Sequence, residues 1–450
     1  MCGLILARGD KRAAVGRALD RMAYRGLDGK RGVAVRSGWT LGHVRMAIQD
    51  LTDAGAQPTT FGKGKGVFAF VGEIFGHDLP SDLPLAVAAY EGEGAAGFHA
   101  FDGFWSCVAV HEDGYAEAFT DYLGQKPLYY WEEQGIVCSE LDPMFELAPR
   151  PPLDQVYLSN CIKFGYDYSG RTPYVGITQL PAGKRLCFGD GPRPEILQYW
   201  DWGRIYLSER APTRTGLQEA LIRSISNRMK SDRPVGLLLS GGLDSMAIYG
   251  IAKHLGLPLQ GFSIENGESE FLPSGVTFLS DQAQLWGRPM ALQAMQAPLD
   301  LGSLVPQYQL AQALAEQGIH VCMTGDGADE LFGGYSRAQA YDSQASDVWC
   351  ELPYYHLPRL DRVMMRHTVE QRSPYLSPDV IKMALNVPRK DRTAKQFLKG
   401  AVGEFVPSAV LERPKHPLKS KEVREGGLEY RSALVAEFIS GYARLKEEEQ

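Results

Sequence analysis

Short apolar runs separated by Gly and Asp fill the first 150 residues of the chain. Val, Phe and Tyr are enriched in the runs 66–75, 102–121 and 126–140, and this pattern predicts strands joined by tight turns. Two segments between the strands, 15–26 and 83–95, carry apolar residues at helical spacing. We therefore expect a layered domain that contains both helices and strands.

A different order of elements begins near residue 206. A predicted helix at 216–231 is followed by the apolar strand 234–240, a glycine-rich turn and a helix at 246–256. The sequence strand, glycine turn, helix is the unit of a parallel α/β sheet. A second apolar strand, 320–325, also ends in a Gly/Asp turn, and the last third of the chain is predicted to be helical.

Proline-rich and loop-rich segments divide these two patterns. Clustered prolines at 147–153 interrupt regular structure, and a second loop-rich stretch ends near Gly203. We therefore predict a first domain at 2–150, a linker at 151–205 and a second domain at 206–450.

Composition narrows the class of protein. The 450 residues carry a formal net charge of −7 and are 44% hydrophobic, as in ordinary globular proteins. The weakly acidic charge argues against a nucleic-acid partner, and no apolar stretch is long enough to span a membrane. The apolar run at the N-terminus is too short for a secretion signal, so we expect a cytoplasmic protein. The seven cysteines are scattered without C-x-x-C spacing, which argues against a disulfide framework or a zinc site.

The turn at 239–245, LSGGLDS, is the sharpest local signal of chemistry. Glycines allow close approach of the backbone to a ligand, and the N–H groups at a helix start bind anions. Ser240 and Ser245 add hydroxyl donors, whereas Asp244 would repel phosphate unless Mg²⁺ lies between them. The Walker pattern is absent, and the string resembles the signature of the ATP pyrophosphatases, which cleave ATP between the α- and β-phosphates.

The turn at 324–335, TGDGADELFGGY, is the second such signal. It places Asp326, Asp329 and Glu330 within five positions, where their mutual repulsion requires a cation or another partner. At the C-terminal end of a parallel strand, the cluster is well placed for Mg²⁺ and a polar substrate.

Cys2 is the third candidate, because removal of Met1 would make it the first residue. Its thiol would then lie beside its own α-amine, whose ordinary pKa of about 7.7–8.0 suits a general base. On its own a cysteine at this position is weak support for catalysis. It gains weight from the segments that follow it, which are 25–28 (RGLD), 41–48 (LGHVRMAI), 55–58 (GAQP), 72–75 (GEIF) and 81–82 (SD).

These segments together resemble the glutaminase domain of class II amidotransferases. With the downstream LSGGLDS turn, their order resembles the glutamine-dependent asparagine synthetase family. Further matching blocks extend the resemblance through nearly the whole chain: 121–130, 180–183, 199–200, 361–370, 372–376 and 413–415. The resemblance implies an N-terminal αββα sandwich like that of the Ntn hydrolases, followed by a parallel-sheet α/β domain of the ATP pyrophosphatase (adenine nucleotide α-hydrolase-like) type.

The resemblance also implies roles for residues. Cys2 would attack the glutamine amide, and Arg45 would bind the glutamine α-carboxylate. Gly72 would donate its N–H to the oxyanion, and Asp82 with the Gly72–Glu73 backbone would hold the α-amino group. The implied ATP-binding residues are Leu238, Ser240, Gly241, Gly242, Asp244, Ser245, Ile264, Thr324 and Gly325. Mg²⁺ would lie on Asp244 and Asp329, the acceptor near Asp326 and Asp329, and Lys415 would stabilise charge on the phosphates or on the tetrahedral intermediate.

The implied reaction joins ammonia to a carboxylate that ATP has activated as an acyl-adenylate, and aspartate is the first candidate. Several departures from the family leave the acceptor open. Val71 stands where the family has an oxyanion-donating Asn, so glutaminase activity is weak or another group rebuilds the hole. Asp326 stands where the family often has Glu. The segment between Tyr335 and Asp361 is shorter than is usual in the family, and residues 265–282 match the family pattern poorly. We treat His43 and His77 as structural.

Three hypotheses about the function follow. The first is a glutamine-hydrolysing asparagine synthetase. The second is the same chemistry on another carboxylate, from a peptide, an antibiotic or a modified nucleoside, including a form that uses free ammonia or an internal amine. The third is a non-catalytic protein that keeps the fold. The expected partners are small molecules, and a homodimer stays open.

Overall fold

The computed structural model describes residues 2–189, 191, 193–202, 211–264, 271–279, 287–299, 302–413 and 421–448. Its strands are β1 Gly3–Arg8, β2 Lys30–Arg36, β3 Trp39–Arg45, β4 Thr59–Phe61, β5 Gly66–Phe75, β6 Asp102–His111, β7 Ala116–Thr120, β8 Tyr129–Trp131, β9 Ile136–Cys138, β10 Ile177–Gln179, β11 Lys184–Phe188, β12 Glu195–Gln198, β13 Val235–Leu238, β14 Gln260–Ile264, β15 Thr277–Leu279, β16 Val321–Met323 and β17 Glu370–Arg372.

The longer helices are α1 Arg12–Arg21, α2 Leu83–Glu93, α3 Gln155–Phe164, α4 Arg214–Arg228, α5 Leu243–His254, α6 Gly287–Met295 and α7 Leu304–Glu316. They are followed by α8 Ala328–Phe332, α9 Arg337–Ala340, α10 Gln344–Ser346, a π-helix at Asp347–His356, α11 Leu357–Met365, α12 Pro378–Asn386, α13 Arg389–Arg392, α14 Gln396–Val402, α15 Ser408–Glu412 and α16 Lys421–Glu448. Among the described residues, none of these helices is long and apolar enough to cross a membrane.

Two antiparallel six-stranded sheets form the N-terminal half. Their orders are β10-β8-β9-β1-β3-β2 and β12-β11-β7-β6-β5-β4. Side chains alternate along a strand, so β1 sends Leu4 and Leu6 into one apolar cluster and Ile5 and Ala7 into another, which also contains Val15 of α1. Helix α2 covers the second sheet, where the ring centroids of Tyr90 and Phe68 are 5.2 Å apart. The predicted αββα sandwich is confirmed.

Three strands of the segment 151–205, which we predicted as a linker, join these sheets. Strand β10 pairs with β8, and β11 pairs with β7 and carries β12 at the sheet edge. The domain limits at 150 and 205 themselves stay predictions.

A five-stranded sheet of order β15-β14-β13-β16-β17 forms the second half, and every strand pair in it is parallel. The predicted parallel-sheet α/β domain is therefore confirmed. Chain order reverses between β13 and β16, and ligands of open α/β sheets bind outside the carboxyl ends of strands at such a switch point. The two turns singled out in the sequence, 239–245 and 324–335, begin directly after these two strands.

Candidate active sites

The first candidate site is a cavity of about 40 Å³ at the edge of the N-terminal sandwich. Its lining includes all five residues expected to handle glutamine: Cys2, Arg45, Gly72, Glu73 and Asp82. They come from the start of β1, the end of β3, the end of β5 and the residue before α2. Long-range strand pairing thus brings together residues that are up to 80 positions apart.

Cys2 lies at the start of β1, and its Sγ is 3.4 Å from the backbone nitrogen of Met46, which donates to it. Burial raises the pKa of the Cys2 thiol above its ordinary value, and the hydrogen bond with Met46 partly opposes this rise. A buried thiol with a raised pKa is a poor nucleophile until a base removes its proton. The α-amine that removal of Met1 would create is such a base.

Arg45 is 5% exposed and is held by the loop that follows β3. Its guanidinium donates to the carbonyls of Thr52 and Asp50. Gly55 packs so closely on this guanidinium that no Cβ would fit there. The guanidinium is therefore fixed before any ligand arrives, as a carboxylate clamp requires.

Gly72 and Val71 decide what can bind an oxyanion. Gly72 has φ of 145°, a conformation that side chains rarely adopt, and a Cβ would collide with the backbone of Phe104. Val71 is 1% exposed within the core and offers no donor. Its cross-strand partner Ser106 is 0% exposed, and within the described residues the Ser106 hydroxyl has no hydrogen-bond partner. The backbone N–H of Gly72 is therefore the donor that the strand itself can supply.

Glu73 and Asp82 form the acidic end of the cavity. The Gln49 amide donates to both carboxylates, at 2.5 Å to Glu73 and 3.3 Å to Asp82. Asp82 also accepts from the Ile74 N–H at 2.9 Å, and its other oxygen is 2.8 Å from His77 Nε2. Burial, with the charges of Glu370 and Asp82, raises the pKa of Glu73 well above its ordinary value. An ammonium ligand would relieve this excess of negative charge.

The second candidate site lies between β13 and β16. Gly242 precedes α5, and Gly241 has φ of 73°, so the turn exposes backbone N–H groups at the helix start. Ser240 and Ser245 are held 3.3 Å apart, oxygen to oxygen. Gly325 approaches Asp244 so closely that a Cβ there would be 2.8 Å from the Cβ of Asp244. Leu238 and Ile264 end their strands beside the turn, and Thr324 follows β16.

Lys395, to which we assigned no role from the sequence, joins the two carboxylates expected to bind Mg²⁺. Its Nζ is 2.6 and 2.7 Å from the two oxygens of Asp244 and 2.6 Å from Asp329. Ala394 and Lys395 have φ of 54° and 60°, which non-glycine residues rarely adopt. Although burial favours the neutral amine, the two carboxylates hold the pKa of Lys395 above its ordinary value. The structure therefore maintains a cation between these carboxylates.

The remaining acidic residues of the second turn each have a separate basic side chain beside them. Asp326 accepts from Arg359 Nη2 at 2.7 Å. Glu330 is buried, accepts from the Tyr335 hydroxyl, and lies 3.3 Å from His356. The three carboxylates that crowd one stretch of sequence thus point to three different partners.

Asp244 and Asp329 fit Mg²⁺ in the number and type of ligands that they provide. Mg²⁺ in phosphate sites is held by one or two carboxylates together with water and phosphate oxygens. Within the described residues no cluster of three or more His, Cys, Asp or Glu side chains forms a metal cage. The two carboxylates that converge on Lys395 therefore suit a cation that arrives with a nucleotide.

A buried ion network joins the cysteine to helix α11 of the second half. Arg25 is 1% exposed and donates to the Cys2 carbonyl at 3.0 Å, to Glu140 at 2.5 Å and to Asp361 at 2.9 Å. Asp361 lies on α11 and also accepts from Lys126 at 3.2 Å. Its helix neighbour Arg359 holds Asp326. Helix α11 thus contacts both the residues around the cysteine and the second turn.

Sequence reasoning missed Lys395, Gln49, Arg359 and Arg372. Arg372 was part of a matching block but received no role, and Gln49 directly follows another block. Nothing in the sequence around Lys395 links it to Asp244, which is 151 positions away. Lys415, predicted to stabilise charge, lies outside the described residues.

Comparison with known proteins defines the class. The family of the glutamine amidotransferase domain matches residues 1–200, and the asparagine synthase family matches residues 216–274, 278–352 and 344–439. The two halves of the chain therefore match a glutamine amidotransferase domain followed by an asparagine synthase domain. The chain belongs to the glutamine-dependent asparagine synthetase family.

Three relatives illustrate the range of that similarity. Amidase chry2 of Gibberella zeae is 27% identical over 72% of this chain and 55% of its own length. Amidase chyE of Penicillium rubens is 26% identical over 77% and 58%. Asparagine synthetase B [glutamine-hydrolyzing] of Escherichia coli is 24% identical over 88% and 76%. The chain thus spans little more than half the length of the two amidases.

Proposed function

We propose that the chain transfers the amide nitrogen of glutamine to a carboxylate that ATP has activated, with aspartate as the acceptor and asparagine as the product. The observation that carries this proposal is that helix α11 contacts both candidate sites. Its Asp361 pairs with Arg25, which donates to the Cys2 carbonyl. Its Arg359 pairs with Asp326 of the second turn. Two sites joined in this way suit a reaction in which one site makes what the other consumes.

The first half-reaction would take place in the cysteine cavity. The thiolate of Cys2 attacks the amide carbon of glutamine, and the Gly72 N–H stabilises the oxyanion. Ammonia leaves once the α-ammonium of Cys2 has returned a proton to it, and water then hydrolyses the thioester to glutamate. Arg45 at one end and Asp82 with Glu73 at the other match the opposite charges of an amino acid, which supports glutamine as the ligand.

The second half-reaction would take place at the switch point of the parallel sheet. A carboxylate oxygen of the acceptor attacks the α-phosphorus of ATP, and pyrophosphate leaves. Ammonia then attacks the acyl carbon, and AMP leaves with the former carboxylate oxygen. The N–H groups around Gly241 and Gly242 suit the phosphates, and Lys395 supplies a fixed positive charge beside them. When bound on Asp244 and Asp329, Mg²⁺ would neutralise part of the triphosphate charge.

Aspartate as acceptor is supported by the Asp326–Arg359 pair. Arg359 is 6% exposed, and its Nη2 lies 2.7 Å from Asp326. A zwitterionic acceptor needs one positive and one negative group side by side, and this pair offers both.

A second acceptor class is favoured by the departures from the family pattern near the expected acceptor position, where Asp326 replaces a frequent Glu. An acceptor without a zwitterion would leave the Asp326–Arg359 pair intact. Two fungal relatives are named amidases and not asparagine synthetases.

The test is an acceptor screen that measures pyrophosphate release with ATP, Mg²⁺ and glutamine. Aspartate-dependent release of pyrophosphate and asparagine is the expected result. Pyrophosphate release with another carboxylate and none with aspartate would replace the first acceptor by the second class. If no carboxylate in the screen caused pyrophosphate release, the proposal of amide synthesis would lose its support.

A further inference from the structure

Arg372 of β17 reaches from the second domain to the acidic end of the cysteine cavity. Its guanidinium Nη2 lies 3.5 Å from Glu73, while its Nε donates to Glu370 at 2.8 Å. Its Nη1 donates to the carbonyls of Arg228 and Lys230, at 2.8 and 2.7 Å. Arg372 is 0% exposed, so this guanidinium is locked by four neighbours.

More than one buried carboxylate lies beside the Arg372 guanidinium. Glu73, Glu370 and Asp82 are all buried, and Arg372 is the guanidinium that faces Glu73. Within the described residues, Nη2 of Arg372 and Oε2 of Glu370 have no hydrogen-bond partner. Buried polar atoms without partners are uncommon and call for an explanation. The Arg372 guanidinium forms a close ion pair with Glu370 and lies farther from Glu73.

The backbone of Arg372 serves the other site. Its carbonyl accepts from the Thr324 N–H at 3.0 Å, where the second turn begins. The neighbouring Gln371 amide donates to the Thr324 hydroxyl at 2.6 Å. A change confined to the Arg372 side chain therefore alters the cysteine cavity and leaves this backbone contact in place.

We propose that Arg372 is a positioning residue that the second domain supplies to the glutamine pocket, where it orients Glu73 to receive the α-ammonium of glutamine. This inference rests on the proposed function of the cavity. Arginine suits the task because its planar fork holds Glu370 and two carbonyls while leaving one nitrogen toward Glu73. Lysine would keep the charge but cannot make all these contacts at once.

The experiment uses the full chain with Cys2→Ala, so that glutamine binds without turnover. Glutamine affinity is measured by isothermal titration, and pyrophosphate release with ATP, Mg²⁺, acceptor and ammonium chloride is measured on the same proteins. Adding Arg372→Lys should weaken glutamine binding about tenfold or more and change ammonia-supported pyrophosphate release by less than about twofold. Loss of both activities together would show a merely structural role and overturn the proposal.

Arg228→Lys is the matched control. Like Arg372, Arg228 is 0% exposed and lies over the Phe75 ring. It pairs with Asp102 and, among the contacts of the described residues, has none with Glu73 or Asp82. It should leave glutamine affinity within about twofold of the parent. An equal loss in Arg228→Lys and Arg372→Lys would overturn the proposal.

A second variant covers the case in which Arg372→Lys does not fold. Glu370→Gln with Arg372→Met replaces both partners of a buried pair, which proteins tolerate better than removal of one. It should show the same loss of glutamine affinity, and unchanged affinity would refute the role of Arg372. If the Cys2→Ala parent itself bound no glutamine, the proposed function of the cavity would fall and this inference with it. Binding by the parent with no effect of either variant would overturn the inference alone.

Discussion

Replacing Lys395 by Met tests whether this lysine is the fixed cation of the nucleotide site. The change removes three charge contacts of 2.6–2.7 Å and leaves Asp244 and Asp329 facing each other. Removing one partner of a fully buried pair costs about 3–5 kcal/mol. The two carboxylates are 21% and 20% exposed, so solvent screening lowers the expected loss to about 1–3 kcal/mol.

The variant should also respond differently to Mg²⁺. In the unsubstituted protein the ammonium competes with a metal for the same oxygens, whereas in Lys395→Met it does not. We expect a lower thermal midpoint without Mg²⁺, and a larger rise of that midpoint on addition of MgCl₂ than in the unsubstituted protein. ATP-dependent pyrophosphate release should fall about 10²-fold or more, because a preorganised positive charge is lost.

The assay is a thermal melt of both proteins with EDTA and across a MgCl₂ series, beside pyrophosphate release. Lys399→Met is the control, since Lys399 lies one helical turn further along α14 and is half-buried. It should change neither the midpoint nor its Mg²⁺ response. The reasoning is refuted if Lys395→Met melts like the unsubstituted protein and responds to MgCl₂ no more strongly.

Four further predictions follow from the two sites. Cys2→Ala should abolish glutamine-dependent pyrophosphate release and spare ammonia-dependent release; loss of both would contradict separate sites. Val71→Asn should raise the rate of glutamate formation about tenfold or more, because it adds an oxyanion donor. The loss of stability should be small, because the Ser106 hydroxyl can pair with the new amide. A lower rate in a folded variant would contradict this. Burial lowers the pKa of His43 from 6.5 to about 3, so the folded state resists protonation, and stability present above pH 6.5 is lost as pH falls toward 3. His43→Gln should lose less stability than the unsubstituted protein between pH 6.5 and 4 in urea unfolding, and equal losses would refute this. Asp361→Asn should destabilise the chain by about 3 kcal/mol, read from urea unfolding, because Arg25 and Lys126 lose their shared carboxylate; an unchanged midpoint would contradict the network.

Local signals predicted the strands of the first domain and the parallel-sheet unit of the second, whereas the αββα sandwich was implied by the family resemblance. The enrichment of Val and Phe in 66–75 and the strand–turn–helix pattern around 239–245 depend on neighbouring residues alone. The five residues expected to handle glutamine could be named from the motifs that carry the family resemblance. Their convergence on one cavity is a product of strand pairing, which no local pattern shows.

Contacts between distant segments could not be predicted in the same way. Lys395 meets Asp244 only because α14 packs beside the switch point, and Arg25 meets Asp361 across 336 positions. The three acidic residues of 326–330 looked like one cluster in the sequence. In the structure the turn of α8 sends them to Arg359, Lys395 and His356, so their interpretation depended on partners that the sequence does not reveal.

The central claim is that the phosphates of ATP lie at the start of α5 and that the nucleotide is cleaved next to the sugar. Phosphorus NMR of a reaction with ATP, Mg²⁺, glutamine and the acceptor reads both products directly. The account predicts AMP and pyrophosphate in equal amounts, both lost in Asp244→Asn. Formation of ADP and orthophosphate would contradict it.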